Sequence, residues 1–464
     1  REGRKALWEL VSILCTLVTI ILAVMVLLLY IFAPQVVRLV SSGFDPVTLG
    51  LAEAQLRLTA PALIFMGLFA VLSGTLYALK EFTWPAFAVT VFNGSVVIIG
   101  LTLAPALRLV PHIAPNGMLE LLYTRPDSGI IAVTLGWLVG SIAQMLLQLP
   151  GMKGARVRPR FNWRHPAVRR VAALYAPVMF SLIIDALVIR TFSYNLASKT
   201  GEGSIGYMNW ATTLIQFPQG LVATAISIAI LPTLARQSAQ IVTEGERPFK
   251  DTLGLGLRLA ITLILPAAVG LYVMAQPIVA LLFQHGAFKA ADTLITAQAL
   301  RLYLIGLPFA AVDLLLIYAF YARQDTLTPA LVGVFSLMVY VVTAVLLFPS
   351  FGLFSLMIAD SLKHIAHALT SFVLLMRRLK GMGGQHLTAT LLKTGLAAVV
   401  MGVVAWALIP QVVRWIGNST LTQEALLVSV VGGVSMLVYV GLALLLQVGE
   451  LRWMGGLLWR KIRG

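Results

Sequence analysis

The sequence predicts an all-α polytopic membrane protein built from two parallel-repeat six-helix lobes and a C-terminal helix pair. Composition gives the first warrant. Hydrophobic residues make up 59% of the 464 and charged residues 11%, against roughly 25% charged in soluble globular domains. The second is a succession of twelve apolar stretches of about 20 residues, the length that crosses a bilayer as a helix. The third is an internal repeat at a separation of 244 residues, the mark of a transporter assembled from two like halves.

In chain order the stretches fall near 7–33, 56–79, 85–107, 129–149, 168–197, 205–236, 253–275, 298–321, 328–348, 353–376, 387–409 and 425–447. Connections are short except 34–55, 108–128, 150–167 and 237–252, and no extramembrane domain fits between them. Lys and Arg set the orientation. With residue 1 cytoplasmic, the inside segments hold 23 of the 34 Lys and Arg and the outside segments 8. Arg190, Arg258 and Lys363 fall within spans. Both ends therefore read as cytoplasmic, and the even span count agrees. The net charge of +16 follows from this topology. No basic stripe with interleaved aromatics occurs, so nucleic acid is not an expected partner. The one cysteine, Cys15, lies in an apolar run, which leaves no internal disulfide and no cysteine metal knuckle. Gly-rich phosphate loops, Gly-x-Ser-x-Gly and His-Glu-x-x-His are missing from the sequence. The chain reads as a non-enzyme, with no cofactor or metal expected.

Under the 244-residue shift, Arg57 falls on Arg301, Pro85 on Pro329 and Pro105 on Pro349, and Leu56-Arg57-Leu58 overlies Leu300-Arg301-Leu302. Earlier in each copy the shift is 243, with Pro34 on Pro277 and Gly43 on Gly286; the step is one inserted residue, Gly43-Phe44 becoming Gly286-Ala287-Phe288. Six spans separate the copies, so they point the same way. The second copy begins near residue 167, and its first two spans, 168–197 and 205–236, have no counterpart after Arg1. The complete protein is expected to carry 14 spans, two of them lost ahead of this chain. The organisation follows: 1–150 as the last four spans of the N-terminal lobe, 151–167 as a basic cytoplasmic linker, 168–380 as the C-terminal lobe, and 381–464 as the terminal pair with an interfacial tail. The linker determines topology and contacts anionic lipid. Trp453, Trp459, Arg460, Lys461 and Arg463 anchor the tail.

The most informative stretch is 204–240. It is long enough to span, yet Pro218 and Pro232 interrupt it and Gly220 follows the first. A proline removes a backbone donor and kinks a helix. In a bilayer the freed carbonyls must meet protein or a water-filled cavity. Thr212, Thr213 and Gln216 stand just before this break at Phe217-Pro218. The stretch reads either as cavity wall or as a kinked packing helix.

Here the residues carry a family resemblance. Phe217-Pro218-Gln219-Gly220-Leu221, Ala223-Thr224-Ala225 and Leu231-Pro232-Thr233-Leu234 resemble the signature of the MurJ/MviN lipid II flippases. So do Phe283-Gln284-His285-Gly286-Ala287-Phe288, Tyr321-Ala322-Arg323-Gln324-Asp325-Thr326 and Arg158-Pro159-Arg160-Phe161-Asn162. The resemblance runs over essentially the whole chain. It implies two six-helix lobes and a terminal pair with a lipid-facing groove, as in the multidrug/oligosaccharidyl-lipid/polysaccharide exporter superfamily. It implies alternating access, with the head group of an undecaprenyl-diphosphate-linked precursor (lipid II) in a central cavity and its tail in lipid. Membrane lipids and cell-wall synthesis proteins are the other partners it implies. The family places an Asp-Arg pair and a Glu just ahead of the Phe-Pro. Those slots hold Thr212, Thr213 and Gln216 here, so the charges are gone. An exporter of polysaccharide units or drugs in the same superfamily, and a degenerate member acting as a scaffold, are the competing readings.

Arg190 is the sharpest candidate to supply the lost cation. At 1.5 Å per residue it and Thr213 both lie roughly 12–14 Å below the outer surface. It could instead snorkel outward or answer Asp185, although a five-residue separation points the two apart on a helix. Asp185 sits among apolar neighbours and, with Asp313, Asp360 and Lys363, is a candidate for ion or proton coupling or for a structural network. Asp360 has the helical spacing to pair with Lys363 or His364. His364 and His367 have metal-like spacing, but no acid or thiol completes a site. Arg258 either snorkels to the cytoplasmic side or faces the cavity. The resemblance would put acid and amide sodium ligands on 328–348, which has neither Asp nor Asn, so no sodium site is expected.

Overall fold

Apolar stretches of spanning length fold as helices because a bilayer leaves backbone groups no other partner. The computed structural model describes residues 3–106, 109–113, 119–123, 127–152, 154–155, 157–170, 173, 189–418 and 420–453. Among these residues, ten helices are long and apolar enough to cross a membrane. They coincide with ten of the twelve expected stretches. Residues 168–197 lie largely outside the described residues. The stretch 353–376 is a helix, but its Asp360, Lys363, His364 and His367 lower its hydropathy below that of a plain span. The chain is a multi-span membrane protein, and it divides into two compact units, 1–199 and 200–464.

The first unit opens with α1 (Gly3–Ile31), followed by the short α2 (Ala33–Val40). Next come α3 (Pro46–Thr59) and α4 (Ala62–Ala78). Asp45 caps α3, its carboxylate accepting from the amides of Val47 and Thr48 at 2.9 and 3.1 Å, and Pro46 stands in the first turn, where a missing N–H costs nothing. Pro61 separates α3 from α4 because it cannot donate to the preceding turn. Helix α5 (Thr83–Ala106) packs along α6 (Asp127–Leu146). Cβ atoms added at Gly136 and Gly140 would each lie 2.9 Å from α5 backbone, so this Gly-x-x-x-Gly stripe sets the close approach. Between α5 and α6 the chain forms an antiparallel hairpin, β1 (Leu109–Ile113) on β2 (Leu119–Tyr123), with Leu109 opposite Tyr123 and Ile113 opposite Leu119. The sequence reading gives 108–128 only as an outer connection; its Asn116-Gly117, a dipeptide hairpins favour, is the overlooked signal. The basic segment before residue 167 lies along α1. The Arg158 amide donates to Ser12 Oγ (3.1 Å), the Arg160 amide donates to Thr16 Oγ1 (3.0 Å), and the Arg160 guanidinium pairs with Glu9 at 2.6 Å. The unit closes with α7 (Thr191–Ser198), whose Asn195 and Ser198 hold the turn after α2 through Leu39 O and the Gly43 amide.

The second unit is built on α8 (Ser204–Pro218), a π-wound segment (Gln219–Thr224) and α9 (Ala225–Ala239). Then follow α10 (Arg247–Val273), α11 (Ala275–Phe283), α12 (Ala290–Ala322), α13 (Leu327–Phe351) and α14 (Phe354–Arg378). The terminal pair is α15 (Leu387–Ile416) and α16 (Leu421–Leu445). Helices α10 and α12 form the interior. Leu253, Leu257, Leu315 and Phe320 are fully enclosed with Leu234 and Leu375 around them. The terminal pair docks on α10 through Met401, Tyr439 and Val269, and the Tyr439 hydroxyl donates to Thr262 O at 2.5 Å. A buried phenol needs such a partner.

The repeat is visible in backbone detail. Helices α4 and α12 end on Ala78 and Ala322, and each is followed two residues on by a non-glycine residue at positive φ, Lys80 (64°) and Gln324 (59°). The Glu81 amide donates to Leu76 O at 2.9 Å, as the Asp325 amide does to Phe320 O at 3.0 Å. Arg57 Nε donates to Tyr30 O at 3.3 Å, and Arg301 Nε to Tyr272 O at 3.2 Å. The turn residues and the arginine recur 244 residues apart and the tyrosine that accepts from it 242 apart, so the two copies build the same turns.

Candidate functional site

Two features of the second unit concentrate unusual chemistry: the rewound helix after Pro218 and a line of charges on α14. The first arises from backbone. Pro218 has no N–H to give, and the chain relaxes into i→i+5 winding over Gln219–Thr224 before resuming as α9. The expected break at Phe217, Pro218 and Gly220 therefore takes the form of a change in winding within one continuous 36-residue span, Ser204–Ala239. Such π segments sit frequently at functional positions. Pro218 is buried, while Thr213, Gln216, Phe217 and Gly220 are exposed, Phe217 at 74%. Spaced by three and four residues, they form one stripe turned away from the unit's own core. Thr212 is half-buried. Both Thr212 and Thr213 donate their hydroxyls back to Asn209 O at 2.9 Å, so both hydroxyl protons are engaged within the helix.

The second feature lies where α14 crosses α12. Gly306 and Ser361 make that crossing: the Gly306 amide donates to Ser361 Oγ at 3.0 Å, and Ser361 donates to Leu302 O at 2.6 Å. A Cβ on Gly306 would stand 2.7 Å from Ser361 Cα. Beside this contact Lys363 Nζ lies 2.5 Å from Asp360 Oδ1, and His364 Nε2 lies 3.6 Å from Asp360 Oδ2. These are the i,i+3 and i,i+4 partners that helical spacing allows. The Lys363 ammonium also stands 5.7 Å from the Tyr340 ring centre on α13, within cation–π range. One turn on, His367 Nδ1 meets Asp313 Oδ1 of α12 at 2.6 Å, and Ser371 Oγ stands 3.3 Å from the same nitrogen. Asp313 is 7% exposed. A carboxylate so enclosed is stable only when paired, and an imidazole is a partner that can also carry a proton.

Asp360 and Lys363 thus lie in one polar line along α14, which meets Tyr340 of α13 through Lys363 and Asp313 of α12 through His367. The role of His367 escaped the sequence reading, which weighed it with His364 as a metal ligand. Its partner lies 54 residues away on another helix, and no local spacing announces it. Arg258 has partners that the sequence reading did not name. Its Nε meets Glu450 Oε1 at 2.5 Å, and its Nη1 donates to Gln385 O at 2.7 Å, tying α10 to the segments flanking the terminal pair. Arg190 lies in the first unit at the start of α7 and is exposed. Asp185 lies outside the described residues.

Comparison with known proteins follows the same outline. The family model described as lipid II flippase MurJ matches residues 2–425. The lipid II flippase MurJ of Burkholderia cenocepacia is 31% identical over 344 residues, covering 72% of this chain and 62% of that protein. A protein of Vibrio cholerae named probable lipid II flippase MurJ is 28% identical over 407 residues, covering 86% and 72%. This chain thus spans less than two thirds of the Burkholderia relative's length. Among solved structures, lipid II flippase MurJ in an inward closed conformation superposes with a TM-score of 0.73 at 20% identity, covering 98% of this chain and 86% of that one. The Vibrio cholerae MATE transporter VcmN gives 0.51 at 15% identity, covering 80% and 79%. At these identities the two structures speak to fold alone.

Proposed function

Because the chain belongs to the lipid II flippase MurJ family, we propose that it works as an alternating-access flippase for an undecaprenyl-diphosphate-linked peptidoglycan precursor, lipid II. The membrane is the bacterial inner membrane, with both ends of this chain cytoplasmic, as the 23-to-8 distribution of Lys and Arg supports. Residues 1–150 act as the N-terminal lobe, 168–380 as the C-terminal lobe and 381–464 as the terminal pair. The observation that carries the reading is the rewound helix whose Thr213, Gln216, Phe217 and Gly220 turn out from their own unit. A surface of that kind suits the wall of a path that opens and closes.

A diphosphate crossing a bilayer needs counter-charges. With Thr212, Thr213 and Gln216 uncharged, Arg190 is the residue proposed to supply one of them. The Asp313–His367 pair is proposed as the coupling element: a proton held between carboxylate and imidazole can be taken up on one side and released on the other. Lys363 stands on the same helix as His367, paired with Asp360.

The test is rescue of a flippase-depleted strain by the gene in its full natural length, with lipid II accessibility at the outer face as readout. Growth with lipid II reaching that face is the expected result. A protein that inserts at normal levels yet restores neither sinks the proposal. Arg190→Ala should lose most of the rescue; unchanged rescue removes Arg190 from the path.

A further inference from the structure

A cavity of about 720 Å³ opens in the second unit, away from the helix and charge band just described. Helices α10, α11 and α12 form one side and the terminal pair α15–α16 the other. Its polar walls are Gln276, Gln284, Arg301, Asn418 and Glu424. It continues into a smaller apolar groove of about 280 Å³, lined by Val269, Val399, Gly402 and Val403. Val273 and Trp406 line both spaces. Gly402 shapes the groove, since a Cβ there would stand 2.7 Å from Val269 Cγ1.

Glu424 is the feature that needs explaining. Three carboxylates are buried among the described residues: Asp313, Glu424 and Glu450, at 7%, 8% and 7% exposure. Asp313 has His367 and Glu450 has Arg258. Among the described residues, no ion pair or side-chain hydrogen bond reaches Glu424, although it lines a cavity that Arg301 also lines. Its place in the first turn of α16 lets the helix dipole favour the charge, while its carboxylate oxygens, which are not among the fully enclosed polar atoms, open to the cavity with no donor from the described residues on them. Arg301 is anchored through Nε on Tyr272 O. Its counterpart in the first unit, Arg57, has the same anchor but lies over the Tyr30 ring at 5.5 Å. The second copy turns the same residue to a cavity wall.

A ligand that satisfies this site carries an anion for Arg301, a hydrogen-bonding cation for Glu424 and a chain for the groove. We propose that the cavity binds an aminophospholipid, its phosphate on Arg301, its primary ammonium on Glu424 and one acyl chain over Gly402 and Val403. The ammonium offers three N–H donors, and donor and acceptor are both charged, the stronger class of hydrogen bond. A choline head group has the charge without the donors. A glycerol head group offers Glu424 hydroxyl donors but no cation to offset a phosphate of like sign. By the membrane orientation proposed above, the site opens to the outer leaflet. It does not rest on transport.

The test uses the full chain in detergent, measuring lipid retention by native mass spectrometry with phosphatidylethanolamine, phosphatidylcholine or phosphatidylglycerol of matched chains. Phosphatidylethanolamine should bind about tenfold more tightly than either other lipid. Glu424→Gln should bring it level with phosphatidylcholine, Glu424→Asp should give an intermediate preference, and Arg301→Gln should weaken phosphatidylethanolamine and phosphatidylglycerol alike. Equal binding of the three lipids by the wild-type chain overturns the assignment. So does a Glu424→Gln protein with the parent's preference, or displacement of phosphatidylethanolamine by a polyprenyl phosphate with no head-group amine. Each readout is binding, so the site can fail while the flippase reading stands, and the reverse.

Discussion

The turn after α4 and the turn after α12 share one backbone and differ in what fastens them. In both, a left-handed non-glycine residue follows the helix, and an amide five residues on closes the loop. In the second copy Asp325 then takes over. Its carboxylate accepts from the Thr328 amide at 3.0 Å and hydroxyl at 2.6 Å, and it pairs with Arg378 at the end of α14. In the first copy Glu81 is exposed, and the neighbouring helix is tied instead by Gln148, whose amide donates to Gln144 O at 3.0 Å and Trp84 O at 3.5 Å. A similar contrast runs through the helix interiors. Asp313 falls 244 residues after Phe69, so one copy carries a buried acid where the other carries a ring. The two copies share this geometry, and the second carries paired charge where the first does not.

The largest expected effect breaks that contrast at its core. His367→Ala leaves Asp313 buried and alone, which should destabilise the protein by about 3–5 kcal/mol, seen as a fall in melting temperature. Phe69→Ala, at a half-buried position, should cost about 1–2 kcal/mol and leave transport coupling intact. Equal effects on coupling would remove the special role of the second copy.

A smaller effect separates the two turns. Asp325→Asn should cost about 1 kcal/mol, since Arg378 is 46% exposed and solvent screens the pair. Glu81→Gln should stay within about 0.5 kcal/mol. Burial pushes the Asp325 carboxyl up, but the Thr328 hydroxyl and amide and the Arg378 guanidinium outweigh it and hold the group below its ordinary value. The ionised form is therefore favoured in the folded protein. Its stabilisation is complete above the unfolded value of about 3.9 and is lost as pH falls through the depressed folded value. Acid titration of stability should show this loss in the parent and not in Asp325→Asn. Identical acid profiles would deny the ion pair its part.

The smallest effect sharpens the likeness. Lys80→Gly and Gln324→Gly each relieve a left-handed backbone and should change stability by similar amounts, within about 1 kcal/mol. Opposite signs in unfolding midpoints would show that the two turns are not equivalent.

Spans and repeat were legible because hydropathy and proline spacing are local signals that membrane physics reads directly, and the family was legible through motifs such as Phe217-Pro218-Gln219-Gly220-Leu221. The Asp360–Lys363–His364 cluster was legible for the same reason, its members lying within one helical turn. What was not legible depends on neighbours. Asp313 needs α14 to bring His367, Arg258 needs Glu450 from beyond the terminal pair, and Glu424 is buried only because α11 and α12 stand opposite it. Proline at 218 announced an irregularity; surrounding helices decided that it would be absorbed by winding.

That winding has a mechanical consequence. A π turn is a helix carrying one surplus residue, a dislocation held in an otherwise regular screw. Tightening Gln219–Thr224 to α geometry would turn Ala225–Ala239 about 100° and advance it about 1.5 Å relative to Ser204–Pro218. Pro218, with no N–H in the ladder, resists that turn less than any other residue would. The Ser204–Pro218 half of this span can therefore keep its footing while the Ala225–Ala239 half rotates.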